Sequence, residues 1–232
     1  MIELQQLCRS FQVGDQCVHA LDHLDLKIAR GEYLSVMGPS GSGKSTLLNM
    51  LGLLDKPSAG EYWLNQTATS QLNEEALATL RRQYIGFVFQ SYHLIPRLTA
   101  RENIELPLIL AGIAPKQRRP LVDKVITRLA LTDRASHAPN QLSGGQRQRV
   151  AIGRAIVMKP ELLLADEPTG NLDSVSGREV IELLEELNDE GITLLVVTHD
   201  QAIGDRARRE LKMIDGRIAS DSANQTISSI GS

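Results

Sequence analysis

The stretch Gly38-Pro39-Ser40-Gly41-Ser42-Gly43-Lys44-Ser45-Thr46 reads G-x-x-x-x-G-K-[ST], the pattern of a phosphate-binding loop. A phosphate tail carries several negative charges and many acceptor oxygens. A loop that wraps it must turn tightly and bring bare backbone N–H groups close, which is the use of Gly38, Gly41 and Gly43. In this pattern Lys44 reaches the β- and γ-phosphates and the Ser45 hydroxyl holds Mg²⁺. From average composition, a chance match in a chain this long is on the order of one in a hundred. The ligand this implies is a nucleoside triphosphate.

Three further constellations fit the same chemistry. Leu162-Leu163-Leu164-Ala165-Asp166-Glu167 is an apolar strand running into two carboxylates. A strand-end Asp of this kind holds the Mg²⁺ shell in P-loop enzymes, here Asp166. Glu167 points elsewhere because successive strand residues alternate, and is free to polarise the attacking water as a general base. The pair alone is weak, since it could be a strand end meeting solvent; beside the phosphate loop it is strong. His199 ends another apolar strand, and in this context a γ-phosphate contact is favoured over a structural role. Leu142-Ser143-Gly144-Gly145-Gln146 opens a helix with a hydroxyl and exposed N–H groups, a second anion site. Two phosphate-binding helix ends in one chain require either two ligands or one ligand lying between two chains.

The elements that must position these groups follow from periodicity. Residues 33–37 read as a buried strand and 45–54 as the helix after the phosphate loop. Residues 2–11 and 18–28, around Gly14-Asp15, alternate as antiparallel strands, and 60–65 reads as another. Phe11 either stacks on a base or fills the core of that small sheet. Residues 73–83 read as a helix capped by Asn73. Residues 85–89 form a buried strand ending at Gln90, where open α/β sheets place their ligands. From 91 to 158 the pattern is helical, with 99–111 interrupted by Pro107 and a basic amphipathic helix over 116–130 whose charged face reads as solvated. The apolar 94–113 stretch reads as core, with a docking groove for another protein as the alternative. Strands over 161–165 and 192–197 alternate with helices over 174–188 and 200–208, followed by short strands over 210–214 and 217–219. This order indicates a mainly parallel sheet covered on both faces. Residues 221–232 are Ser-rich and polar, and read as a mobile tail.

Composition narrows the partners. A formal net charge of −3 and a pI near 6.0 give no electrostatic case for nucleic acid. An aromatic content of 3% leaves little for base stacking along a strand. No apolar run approaches the ~18 residues that span a bilayer, and the first residues lack the regions of a signal peptide. Cys8 and Cys17, the two cysteines, make neither a zinc-site pattern nor a disulfide framework, and read as structural thiols in a reducing compartment.

Taken together, the phosphate loop, LSGGQ, LLLADE and the terminal His, in that order, resemble an ATP-binding-cassette (ABC) ATPase over nearly the whole chain. The resemblance implies one α/β domain with the P-loop NTPase (RecA-like) fold. Its core and antiparallel β subdomain would take 1–90 and 159–220, and an inserted helical signature subdomain 91–158. It makes Gln90 the glutamine that senses γ-phosphate and joins the Mg²⁺ shell, and Asn171-Leu172-Asp173 the D-loop, with Asp173 at the nucleotide. Phe11 takes the adenine-stacking position, where Tyr is more usual. Gly153 stands where Ala is more usual, and sequence alone offers no account of it.

The stretches 47–55 (LLNMLGLLD), 84–98 (YIGFVFQSYHLIPRL), 103–108 (NIELPL) and 165–173 (ADEPTGNLD) are similar to the MacB/LolD type, which serves macrolide, peptide or lipoprotein export. That type implies ATP and Mg²⁺ as cofactors and an ATP-dependent head-to-tail homodimer on the cytoplasmic face of the inner membrane. It also implies a separate permease with a large extracytoplasmic domain, and room for a periplasmic adaptor. A cassette driving signalling or cell-wall hydrolase control is the alternative. A translation or DNA-repair cassette would carry two cassettes or a coiled-coil insertion, and LSGGQ argues against a kinase or GTPase.

Overall fold

The computed structural model describes residues 1–223. In chain order the elements are β1 (Ile2–Val13), β2 (Gln16–Ile28), β3 (Tyr33–Met37), α1 (Lys44–Leu51), β4 (Ala59–Leu64), β5 (Thr67–Ala68), α2 (Glu74–Tyr84), β6 (Ile85–Phe89), α3 (Ala100–Leu110), α4 (Pro115–Arg128), α5 (Gly144–Ile156), β7 (Leu162–Asp166), α6 (Ser174–Asp189), β8 (Thr193–Val197), α7 (Gln201–Gly204), β9 (Arg209–Ile214) and β10 (Arg217–Asp221). They fall into two compact units. The first holds Met1–Thr79 and the described residues from Thr193; the second is Leu80–Ile192. This division differs from a cut at 90/91 and 158/159, because β6, β7 and α6 cluster with the helical segment.

In the first unit β1 is central to an antiparallel sheet ordered β2-β1-β4-β5. Ile2, Leu4, Leu7, Leu21, Leu24, Leu26 and Ile28 fill its buried face, and the Gly14-Asp15 turn joins the first two strands. The β4–β5 hairpin was not evident in the sequence. Its turn is made by Asn65 and Gln66, both with positive φ (48° and 66°), without the glycine that usually marks such turns. A parallel set runs β8-β3-β9, with β10 antiparallel on the outer edge. All five residues of β3 and of β8 are buried, as strands covered on both faces require. On β3 the Ser35 hydroxyl donates to the Gly204 carbonyl (3.2 Å). Here α7 is a single turn, shorter than the periodicity suggested, and β10 extends to Asp221, which is paired with Arg209. Asp221 is therefore part of the sheet rather than of a tail; the rest of the expected tail from 224 lies outside the described residues.

The second unit pairs β6 with β7 in parallel. Helix α5 lies so close to β6 that a Cβ at Gly86 would sit 2.6 Å from the Ala155 carbonyl. Helix α3 begins with a capping box between Thr99 and Glu102 and runs unbroken through Pro107, which removes only one helical hydrogen bond. Its buried Asn103 ties down the loop before it, donating to the carbonyls of Ile95, Leu98 and Thr99 and accepting from the Ile95 N–H. In the 94–113 stretch Ile104 and Leu108 are core, as expected, while Ile109 and Leu110 are exposed.

Candidate functional site

The phosphate loop leaves β3 at Gly38 and enters α1 at Lys44. Gly38, Gly41 and Gly43 hold φ of 151°, 82° and 100°, a region side-chain-bearing residues avoid. Gly43 is the helix N-cap with no side-chain cap, so the first N–H groups of α1 are not covered by a capping side chain. Space also demands glycine here. A Cβ at Gly43 would meet the Ala20 carbonyl at 2.4 Å and Gly216 Cα at 3.4 Å. The Asp215-Gly216 turn backs the loop: Gly216 N–H donates to the Ser42 carbonyl (3.0 Å), and Asp22 N–H to the Gly216 carbonyl (2.9 Å).

Lys44 Nζ donates to the carbonyls of Gly38 (2.7 Å) and Pro39 (2.9 Å), which fixes a positive charge over the loop. Pro39, Ser40, Gly41 and Ser45 are exposed, Thr46 is half-buried and Ser42 is buried. This combination of oriented N–H groups, a helix start and a fixed ammonium suits a polyphosphate. Ser45 supplies a hard oxygen donor, as Mg²⁺ prefers.

Phe11 lies on the edge hairpin and is 38% exposed, so it does not fill the small sheet's core. The Arg9 guanidinium covers one face at 4.5 Å. His199 is exposed just past β8. The turn after it is set by Thr198 Oγ1, which accepts from Asp200 N–H, and by Asp200, which caps α7.

In the second unit Asp166 ends β7 opposite Phe89, and Gln90 follows directly on β6, so both carboxylate and amide stand at the carboxyl ends of neighbouring strands. Asp166 offers a hard oxygen donor of the kind Mg²⁺ takes. Glu167 does not continue the strand alternation; its φ of 45° places it in the left-handed region. Gly170 N–H closes the following turn onto the Glu167 carbonyl (3.0 Å).

Ser143 caps α5 in a reciprocal box: its hydroxyl accepts from Gln146 N–H and the Gln146 side chain accepts from Ser143 N–H. Gly144 and Gly145 also serve packing. Cβ atoms there would reach Leu172 and the Tyr92 hydroxyl, and Ser176 Oγ, at 3.0–3.3 Å. Asp173 caps α6 through Val175 and Ser176. The Ser176 donors hold its carboxyl below the usual carboxylate range.

Residues the sequence did not single out tie these segments together. Arg154 of α5 donates to the Tyr92 and His93 carbonyls, Arg147 lies over the Tyr92 ring at 4.9 Å, and Tyr92 donates to the Asn171 carbonyl. Tyr92 and His93 both have positive φ. An irregular, non-glycine loop directly after Gln90 is what a closer reading would have had to notice.

Residues 21–170 match a protein family described as "ABC transporter". The chain is 52% identical over 221 residues to the macrolide export ATP-binding/permease protein MacB of Marinobacter nauticus, covering 95% of this chain and 34% of that protein. It is 50% identical over 224 residues to MacB of Burkholderia pseudomallei, covering 97% and 34%. The chain thus spans about a third of the length of these curated relatives. A solved structure described as the dimeric structure of a post-hydrolysis state of the ATP-binding cassette MJ0796 bound to ADP and Pi superimposes with a TM-score of 0.88. Its identity is 43%, covering 95% of this chain and 97% of that one.

Proposed function

The chain belongs to the ABC transporter family, and on that premise we propose that it is an ATP-hydrolysing cassette that powers a membrane permease. The observation that supports this reading most directly is the Gly38–Thr46 loop, with left-handed glycines, unblocked helix N–H groups and the Lys44 ammonium fixed above them. No helix among the described residues is long and apolar enough to cross a membrane, so the permease segment is a partner or another part of a longer protein.

In this reading the 38–46 loop and Lys44 bind the triphosphate, and Phe11 stacks its open face on the base. Ser45, Gln90 and Asp166 would hold Mg²⁺, which would supply positive charge to the phosphates when bound. Glu167 takes the proton of the attacking water, and His199 holds the γ-phosphate. Ser143, Gly144, Gly145 and Gln146 of a second copy cap that phosphate from the other side, with Asp173 beside them. Two ATP molecules are thereby shared in a head-to-tail homodimer on the cytoplasmic membrane face. The relatives' printed name supports export as the work done and a permease as partner; the large extracytoplasmic permease domain and the periplasmic adaptor rest on the resemblance of the sequence alone. Loss of the γ-phosphate removes the charge that bridges the copies, which turns chemistry into motion.

The test mixes a Lys44→Ala chain with a Ser143→Arg chain, each inactive alone. A mixed dimer keeps one site with intact loop and intact signature, so ATPase activity recovers in part. Absence of recovery in verified mixed dimers, together with no ATP-induced dimerisation of Glu167→Gln, overturns the shared site.

A further inference from the structure

The side chains of Cys8, Asp22 and His23 have no part in the nucleotide chemistry proposed above, yet their donor atoms converge. One ligand atom from each, the Cys8 thiol, an Asp22 carboxylate oxygen and a His23 ring nitrogen, lies within 4.8 Å of the other two. A bulge brings them together. Leu7 pairs with Leu24 and Arg9 with Leu21, so one residue of β1, Cys8, faces two of β2, Asp22 and His23. In a regular ladder those two neighbours would point to opposite faces. The extra residue, with His23 at φ 51°, turns both toward the thiol.

We propose that Cys8, Asp22 and His23 form a surface binding site for a soft-to-borderline divalent cation, with Zn²⁺ the best match. Thiolate, imidazole and carboxylate are the donor types Zn²⁺ takes, whereas Mg²⁺ takes oxygen. The surroundings suit a bound ion. His23 N–H donates to Cys8 Sγ (3.3 Å), which holds the sulfur against the bulge. Arg217 directs both of its bonds, 2.8 and 2.6 Å, to Asp22 Oδ2. That orients the carboxylate and leaves Oδ1 facing His23 Nδ1 at 2.5 Å.

Around a tetrahedral ion the donor atoms stand about 3.4–3.7 Å apart, so the Asp22–His23 contact opens by about 1 Å. His23, with 65% of its side chain exposed, has room to do this. Binding releases the Cys8 proton to solvent, and water completes the coordination.

Cobalt is the probe, because Co²⁺ in such a site shows both a thiolate charge-transfer band and tetrahedral d–d bands. The full chain, reduced and free of nucleotide and Mg²⁺, is titrated at neutral pH. One Co²⁺ per chain is expected, displaced by one equivalent of Zn²⁺ and not by Mg²⁺. Cys8→Ser removes the charge-transfer band. His23→Ala lowers Co²⁺ affinity by more than about tenfold, and Arg217→Ala, through the carboxylate, by about tenfold. Cys17→Ser leaves the spectrum unchanged. Absence of the band at one equivalent, its survival in Cys8→Ser, or its loss in Cys17→Ser overturns the site. Should Cys8→Ser fail to fold, judged by circular dichroism, the exposed His23→Ala decides alone: undiminished affinity overturns the site.

Discussion

The side-chain amide of Asn171 donates a 3.0 Å hydrogen bond to the main-chain carbonyl of Gln90. The Asn171 carbonyl in turn accepts from the Tyr92 hydroxyl at 3.3 Å, and a Cβ at Gly170 would lie 2.5 Å from Gln90 Nε2. The segment after β6 is therefore braced against the segment after β7 by side chains that do not themselves carry charge chemistry. Net, each such bond is worth about 0.5–1.5 kcal/mol. Asn171→Ala should lower the ATPase kcat several-fold with KM for ATP nearly unchanged, and Tyr92→Phe should do so less, because its ring still lies under Arg147. Steady-state kinetics of both variants check this; a rise in KM with kcat unchanged would assign the pair to ATP binding instead.

Glu167 couples a strained backbone to its proposed role. A non-glycine residue at φ 45° costs about 1–2 kcal/mol relative to glycine. Stability and activity should then separate. Glu167→Gly should hold or raise stability by up to about 1 kcal/mol, while hydrolysis falls by about 10²–10⁴ for want of a base. Glu167→Gln should lose rate alike and keep ATP affinity, whereas Lys44→Ala loses affinity itself. Thermal melts beside ATPase assays decide, and near-normal turnover in either Glu167 variant removes it from the mechanism.

Arg209 sits between Asp221 and Glu32 with 13% of its side chain exposed, and Asp221 with 10%. The Arg209 guanidinium holds the Asp221 carboxyl below its ordinary 3.8. Between that value and the lowered one the unfolded chain binds the extra proton, so stability rises with pH through this window and is fully present above about 3.8. Asp221→Asn should cost about 1–3 kcal/mol at neutral pH and should flatten the acid limb of the stability curve. Urea melts across the acid range measure both; an acid limb as steep as that of the unaltered chain would show that Asp221 does not carry it.

The difference between what was legible and what was not lies in range. The phosphate loop, the LLLADE strand end and the Ser143 cap each carry their functional groups within a few residues, so residue types at fixed spacing were enough to mark them. Contacts set by bulges and loops were not. Cys8 meets His23 only because β2 carries one residue more than β1 between paired positions. Gly216 stands behind Gly43 though 173 positions separate them along the chain, and its own turn motif said nothing of where it would dock. The β4–β5 turn hid because Asn65 and Gln66 bear positive φ without glycine.

Gly153 shows how a local cost can be decided at long range. Mid-helix glycine gives up about 1 kcal/mol against alanine, yet in α5 a Cβ there would lie 2.8 Å from Leu129 Cδ1 and 3.0 Å from both Ile104 Cγ1 and Cδ1. Those neighbours are 2% and 0% exposed, so neither can swing into solvent, and overpacking of this kind costs about 1–3 kcal/mol. Crowding should outweigh propensity, leaving Gly153→Ala destabilised by up to about 2 kcal/mol. Ile104→Val removes one of the crowding atoms. Alone it should cost about 0.5–1.5 kcal/mol for the cavity; in the Gly153→Ala background it should cost less or stabilise, because the added methyl takes the vacated space. Denaturant melts of the two single variants and the double complete the cycle. Additive effects would mean that α3 and α5 part without strain, and the glycine would then need another reason.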